Sequence, residues 1–153
     1  NGKIQKSAKL LPGPLDLIGR RLPFLFIKNK INQRLELQQM NYESGIFKAP
    51  FLSGCFLLFR SSVIDDIGFF DRRFFMYTED IDLSRRLWKN KTYPYFFAKT
   101  SVVHREEKAS GKKIKLFKIH IESAIRYFNK WGWVDKERRK INKECLDQKI
   151  KAS

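Results

Sequence analysis

Residues 69–86 read FFDRRFFMYTEDIDLSRR. Glu79 and Asp80 stand side by side there, directly after the apolar run Phe74-Phe75-Met76-Tyr77. The chain holds 32 Lys or Arg against 16 Asp or Glu, so most of its carboxylates have a cation to answer to on a solvated face. A carboxylate pair set behind aromatic residues instead suits the wall of a pocket, where a carboxylate partly withdrawn from water acts as a general base. The same two residues also open a segment with helical spacing. Carboxylates are favoured at that place because free N–H groups and the positive end of the helix dipole await them. Spacing alone leaves both readings standing, base and helix cap.

His104 is the next group with chemistry. It ends the short apolar stretch Val102-Val103, 24 positions after Asp80. Neutral imidazole is a common metal ligand, and a histidine closing a strand is equally a satisfied polar end residue. His120 lies in a Lys-rich helical stretch and reads as a surface residue. Cys55 falls in an apolar run and reads as a small buried hydrophobe. Cys145 falls in a charged tail. Two cysteines so far apart suggest neither a disulfide framework nor a zinc site, which points to a reducing cytoplasm. Asp65 and Asp66 follow Ser61-Ser62 and precede Gly68, the pattern of a short capped helix ending at glycine.

The elements that must position these groups read as one α/β domain's worth of chain. Residues 1–21 carry Pro12, Gly13, Pro14 and Gly19 and read as an irregular connection. Residues 22–39 have apolar positions compatible with a helix. Residues 55–59 form a short continuous apolar run, the signature of a strand buried on both faces. Residues 81–89 read as a helix with Leu83 and Leu87 on one face. Residues 93–97 and 100–104 read as extended, broken near Ala98. The strongest helix covers residues 113–132, where Ile114, Phe117, Ile121, Ile125 and Phe128 recur at three- and four-residue steps. Its apolar stripe packs on a core or lies at a membrane interface with lysines reaching phosphates. Gly132 ends it, and Asp135 caps a final polar helix to about Cys145. No run of 18 apolar residues occurs, so no transmembrane helix is expected.

The formal net charge is +16. Residues 105–153 hold fifteen Lys or Arg against seven Asp or Glu, which is half of that net charge. A balance of this size favours anionic partners: phospholipid head groups, nucleotide or lipid diphosphates, or nucleic acid. Nucleic acid is disfavoured, because no groove-reading or single-strand motif is present and the carboxylate pair repels phosphate. A non-catalytic basic module for a membrane surface or nucleic acid stays as the alternative to an enzyme.

Several of these pieces occur in an order that resembles bacterial family 2 glycosyltransferases, specifically the rhamnosyltransferase-like branch of cell-surface polysaccharide assembly. They are Ile67-Gly68-Phe69-Phe70-Asp71, then Phe74 through Leu83, then Arg85-Arg86. Ser53-Gly54-Cys55 with the apolar run to Arg60 stands upstream, and Val102-Val103-His104 followed by Ser110-Gly111 stands downstream. The resemblance covers roughly residues 1–133 and is dense from 53 to 104. It implies a GT-A, Rossmann-like α/β fold with short strands and a long C-terminal amphipathic helix. It implies an inverting enzyme with Asp80 as base and Glu79 beside it, His104 as ligand to Mg²⁺ or Mn²⁺, and Tyr77, Gly54, Arg85 and Arg86 at the acceptor or substrate. The implied partners are a nucleotide-sugar donor, a glycan or lipid-linked acceptor, and an anionic membrane surface on the inner face of the cell membrane. The family's nucleotide-binding half, with its Asp-x-Asp metal motif, has no counterpart here. Asp80-Ile81-Asp82 spells that motif but opens a helix, which marks it as a coincidence. The expectation is therefore residues 1–133 as the acceptor-side C-terminal half of the domain, residues 134–153 as a basic helical tail, and no turnover by this chain alone.

Overall fold

The computed structural model describes residues 4–19, 25–104 and 113–148. Ser110-Gly111, Lys112, the start of the expected helix at residues 22–24 and the last basic residues 149–153 lie outside that set. The order is β1 (Ala8–Lys9), α1 (Pro14–Gly19), α2 (Leu25–Leu35), β2 (Ile46–Lys48), β3 (Phe51–Leu52), α3 (Ser61–Ile67), α4 (Glu79–Lys89), β4 (Tyr95–Phe97), α5 (Lys113–Trp131) and α6 (Lys136–Leu146). The described chain is thus mixed α/β, helix-rich with very short strands.

Two small antiparallel pairings organise it. β1 pairs with β3, Ala8 opposite Leu52, and β2 pairs with β4, Ile46 opposite Phe97. Around the second pair sits a core of Leu35, Leu37, Met40, Tyr42, Phe47 and Ala49. Tyr42, Phe47 and Phe96 pack as a ring trio with centroids 5.0–5.3 Å apart, and such aromatic packing adds about 0.5–1.5 kcal/mol per pair beyond burial. A larger core joins the helices: Ile81 and Trp88 from α4, Tyr127 and Phe128 from α5, Ile141 and Cys145 from α6. Trp88 links the two cores, because its indole N–H donates 3.1 Å to the Ala49 carbonyl.

The run at residues 55–59 is not a strand. β3 ends at Leu52, a turn follows, and Phe56 and Leu58 are 57% and 89% exposed. The Ser53 N–H still donates to Ser7, at 2.9 Å, in line with the β1–β3 ladder. The next N–H, of Gly54, faces away from β1, as alternate residues of an antiparallel strand do, and donates to the Asp80 carboxylate; the chain turns at residues 54–55. An apolar run of four or five residues fits a strand by composition, but composition does not reveal where the chain turns. Cys55 goes with it and is exposed, not buried. Residues 100–104 likewise form no strand. The irregular opening segment contains β1 and α1.

The helices follow the sequence pattern more closely. α3 ends where Gly68 takes φ 73°, and its Asp65 and Asp66 lie exposed in the later turns, with no side-chain cap bond at its start. α5 ends one residue before Gly132, at φ 95°. Asp135 caps α6 by accepting the Arg138 N–H at 2.9 Å. α6 is packed rather than frayed: Ile141 and Cys145, four apart, form its whole buried stripe. Burial pushes the Cys145 thiol up to about 12. A thiol reagent at neutral pH is therefore expected to titrate one thiol quickly, Cys55, and Cys145 only after denaturation. Two fast thiols in the native protein would contradict the docking of α6. Among the described residues no helix is long and apolar enough to cross a membrane.

Candidate active site

The first turn of α4 carries the acidic pair. Thr78 enters the helix with its hydroxyl donating 3.4 Å to the Ser123 carbonyl of α5, which fixes the entry point. Tyr77, just before it, takes φ 83°. A positive φ on a bulky residue costs of order 1–3 kcal/mol and persists only where the surroundings hold it. Tyr77 is half-buried, its ring 5.0 Å from the His120 ring. His120 is thereby 4% exposed, an interior residue of α5 and not the surface residue expected from its Lys-rich neighbours.

Asp80 takes a helix-start position, one of the two readings that sequence left open. Its Oδ1 accepts the Ile81 N–H at 2.8 Å, satisfying one of the free donors of the first helical turn. Its Oδ2 accepts the Gly54 N–H at 3.0 Å across 26 residues of chain. Burial pushes its carboxyl up to about 6, and the neighbouring Glu79 charge adds to that. The N–H donors from Gly54 and Ile81 oppose the rise and are outweighed. A carboxylate with affinity for a proton in this range is suited to general-base work near neutrality. Glu79 places Oε2 in the interior with no hydrogen-bond partner among the described residues. Gly54 itself packs in ordinary contact range of the Asp80 carboxylate. A Cβ would sit 3.5 Å from the Asp80 Cβ and 3.7 Å from Oδ2, over the carboxylate.

The residues on either side of Gly54, Ser53 and Cys55, line a cleft of about 470 Å³. His104 lines it too, with Gln5 beside it: the imidazole Nδ1 lies 3.1 Å from Gln5 Oε1. Lys6, Lys9 and Glu36 form more of the wall, and Lys6 pairs with Glu36 at 3.7 Å. Asp80 contacts Gly54, and the neighbours of Gly54 share the cleft wall with His104; Asp80, Glu79, Tyr77 and Gly54 are not themselves lining residues. Among the described residues no three His, Cys, Asp or Glu side chains come together to hold a metal ion. His104 alone amounts to a single ligand rather than a metal centre.

Arg85 and Arg86 have other positions. Arg85 is 2% exposed and forms an ion pair with Asp135, the α6 cap. It also approaches Glu137 at 3.4 Å and lies 4.3 Å from the centroid of the Trp131 ring. Arg86 pairs with Asp82 at 2.9 Å and donates to the Ile67, Gly68 and Phe69 carbonyls at the end of α3. Neither arginine borders the cleft. Both are committed to holding α3 and α6 against α4.

Asp82 is the residue that the sequence reading passed over. It is fully buried and accepts from Arg86, from the Trp131 indole at 2.8 Å and from Lys130 at 2.6 Å. Lys130 in turn bridges to Asp71 at 2.9 Å. Arg73 first, and then Lys130, hold the Asp71 carboxyl well below the usual carboxylate range. The only sequence signal was positional. Asp82 stands two residues after Asp80, so on a helix it faces a different side, inward toward α5.

Comparison with known proteins bears on one part of the chain. No protein-family model matches it, and no solved structure matches it. Two curated proteins do, both N-acetylglucosaminyl-diphospho-decaprenol L-rhamnosyltransferases of Mycobacterium tuberculosis, from two strains. Each is 39% identical to this chain over 61 residues, which is 40% of this chain and 20% of the relative. The chain therefore spans about a fifth of the length of the curated relatives it matches. The likeness is to a glycosyltransferase, and it is confined to that stretch.

Proposed function

We propose that this chain is the acceptor-side part of an inverting glycosyltransferase of the family 2, GT-A type. The observation that carries the reading is Asp80: a half-buried carboxylate, its proton affinity raised by burial, at a helix start beside an open cleft. The partial likeness to a rhamnosyltransferase supports the same class.

The chemistry is a single displacement. Asp80 takes the proton of an acceptor hydroxyl as that oxygen bonds to the anomeric carbon of the donor sugar. The bond from that carbon to the nucleoside diphosphate breaks at the same time, and its electron pair leaves with the diphosphate. Attack from the opposite face inverts the configuration. A positioned base contributes about 10²–10⁴ in rate. The Gly54 N–H holds the carboxylate in place, burial keeps its proton affinity high, and the Glu79 charge adds to that. His104 would give one ligand to a Mg²⁺ or Mn²⁺ ion whose charge offsets that of the leaving diphosphate. The donor is a nucleotide sugar, and the acceptor a glycan or a lipid-linked glycan. A lipid-linked acceptor places the enzyme at the inner face of the membrane, and the net charge of +16 fits an anionic surface there.

The test compares this chain alone with a polypeptide that joins it to a nucleotide-binding half of the same class. The joined polypeptide is expected to release nucleoside diphosphate from a sugar nucleotide when an isoprenoid-diphosphate-linked sugar is supplied, and the chain alone to release none. Turnover by the chain alone, lost in Asp80→Asn, would overturn the half-domain reading. No turnover by the joined polypeptide across a panel of nucleotide sugars would overturn the transferase reading.

A further inference from the structure

A second cleft, of about 330 Å³, lies between α1, α2 and α6, away from Asp80. Its floor is apolar, made by Leu10, Leu11 and Leu35, with Leu146 at the rim. Its rim is basic. Arg34 enters from α2, and Arg138, Arg139 and Lys143 enter from α6. Two carboxylates, Asp16 and Asp147, also line it, and Asp16 is already engaged by Arg34 and by the Gly13 N–H at 2.7 Å. Among the described residues Arg138, Arg139 and Lys143 form no ion pair.

The α6 wall is held rigidly. The Asn142 side chain accepts the Leu11 N–H at 2.8 Å and donates to the Leu11 carbonyl at 3.0 Å. The Arg138 guanidinium lies over Gly13, where a Cβ would come within 3.2 Å. Three cations without carboxylate partners, set on a fixed wall above an apolar floor, suit an anion that carries an apolar tail. Free phosphate would use the cations and leave the leucines idle. The flanking helices present apolar side chains to solvent as well, Leu15 on α1 and Phe26 on α2 at 82% and 77% exposure. Aromatic and aliphatic side chains beside cations are the pattern of a surface at head-group depth.

We propose that the cleft between α1, α2 and α6 binds the phosphate head group of an anionic phospholipid and sets the chain's docking face on the membrane. The proposal rests on the membrane-surface part of the function proposed above, and it moves the point of contact from the basic stripe of α5 to α6. Arg139 and Lys143, four apart, both reach head groups; Leu146 at the rim enters the acyl boundary beside them.

The experiment is sedimentation of the full chain with vesicles at low salt, comparing phosphatidylcholine alone with phosphatidylcholine containing phosphatidylglycerol. Wild type is expected to bind the anionic vesicles and to leave the neutral ones, with binding falling steeply as salt rises. The pair Arg139→Gln/Lys143→Gln is expected to weaken binding about tenfold or more. The pair Arg72→Gln/Lys99→Gln removes the same charge from exposed positions outside the cleft and is expected to weaken it by less than about threefold. Circular dichroism of both pairs checks the fold. Wild type binding neutral and anionic vesicles alike, or neither, would overturn the membrane reading and this proposal with it. Anionic binding that both pairs weaken equally would overturn the cleft alone. Release of wild type by inorganic phosphate, at an ionic strength where chloride leaves it bound, would assign the cleft to free phosphate.

Discussion

Asp80→Asn in the joined polypeptide is expected to lower turnover by about 10² or more while leaving the fold in place. Asparagine keeps the size and one acceptor oxygen but cannot take a proton. One of the two N–H donors, from Gly54 or Ile81, then faces an amide NH₂ instead of an oxygen, which costs about 1 kcal/mol. A gain opposes that cost. The Asp80 carboxyl is raised from 3.8 to about 6 in the fold, so between those values the folded state holds the proton more tightly than the unfolded state. By linkage the wild type loses stability as pH rises through that window, and the loss is complete above it. Asparagine avoids it. The variant's relative stability should therefore improve from pH 4 to pH 7. Turnover carries the opposite signature. In wild type kcat/KM should fall as pH drops through about 6, because the base becomes protonated. Glu79→Gln removes the like charge and should move that limb to lower pH with a smaller loss of rate. A few-fold loss in Asp80→Asn, or an acid limb that survives it, would leave Asp80 as a helix-cap residue only.

The sequence was most informative where structure is set locally. The helical span of α5, the stop at Gly132 and the cap at Asp135 all depend on neighbours within a turn, and each is found where expected. The apolar stripe read on α5 is not its buried face: Ile114, Phe117 and Ile125 are exposed, and Phe128 is buried with His120, Ser123, Ala124 and Tyr127 instead. The opening of α4 at Glu79 is local in the same sense. What stayed hidden depends on partners far along the chain. Arg85 reads as an acceptor-side residue until Asp135 and Trp131, about fifty residues on, enclose it. His120 reads as exposed until Tyr77 turns toward it. Cys145 sits among charges, and only its spacing from Ile141 hints at burial. The apolar run after Gly54 misleads for a related reason. The chain turns directly after Ser53, and the Gly54 N–H at that turn donates to Asp80, a partner 26 residues on that composition does not reveal. The cleft is of the same kind. Gln5, Glu36, Ser53 and His104 have no sequence proximity, and only the fold shows them on one wall.

Asp82→Ala is expected to be the most destabilising single change in α4. The carboxylate is fully buried and receives Arg86 at 2.9 Å, the Trp131 indole at 2.8 Å and Lys130 at 2.6 Å. Taking away the shared acceptor leaves three donors behind, two of them charged. Breaking a buried ion pair from one side costs about 3–5 kcal/mol, because the partner's charge remains in place of the pair. Lys130 retains Asp71, and Arg86 retains the carbonyls at the end of α3, so part of that charge stays satisfied. The Trp131 N–H has no such second acceptor among its hydrogen bonds. A loss of about 3 kcal/mol is a large share of the 5–15 kcal/mol typical of a domain. It corresponds to a thermal midpoint lower by roughly 6–12 °C at this chain length. Lys130→Met removes one of the three donors and leaves Asp82 with Arg86 and Trp131, so it should cost less. Chemical denaturation of the three proteins, followed by tryptophan fluorescence, ranks them directly. Asp82→Ala within about 1 kcal/mol of wild type would mean that the Asp82 network adds little to the packing and the other polar contacts that join α4 to α5.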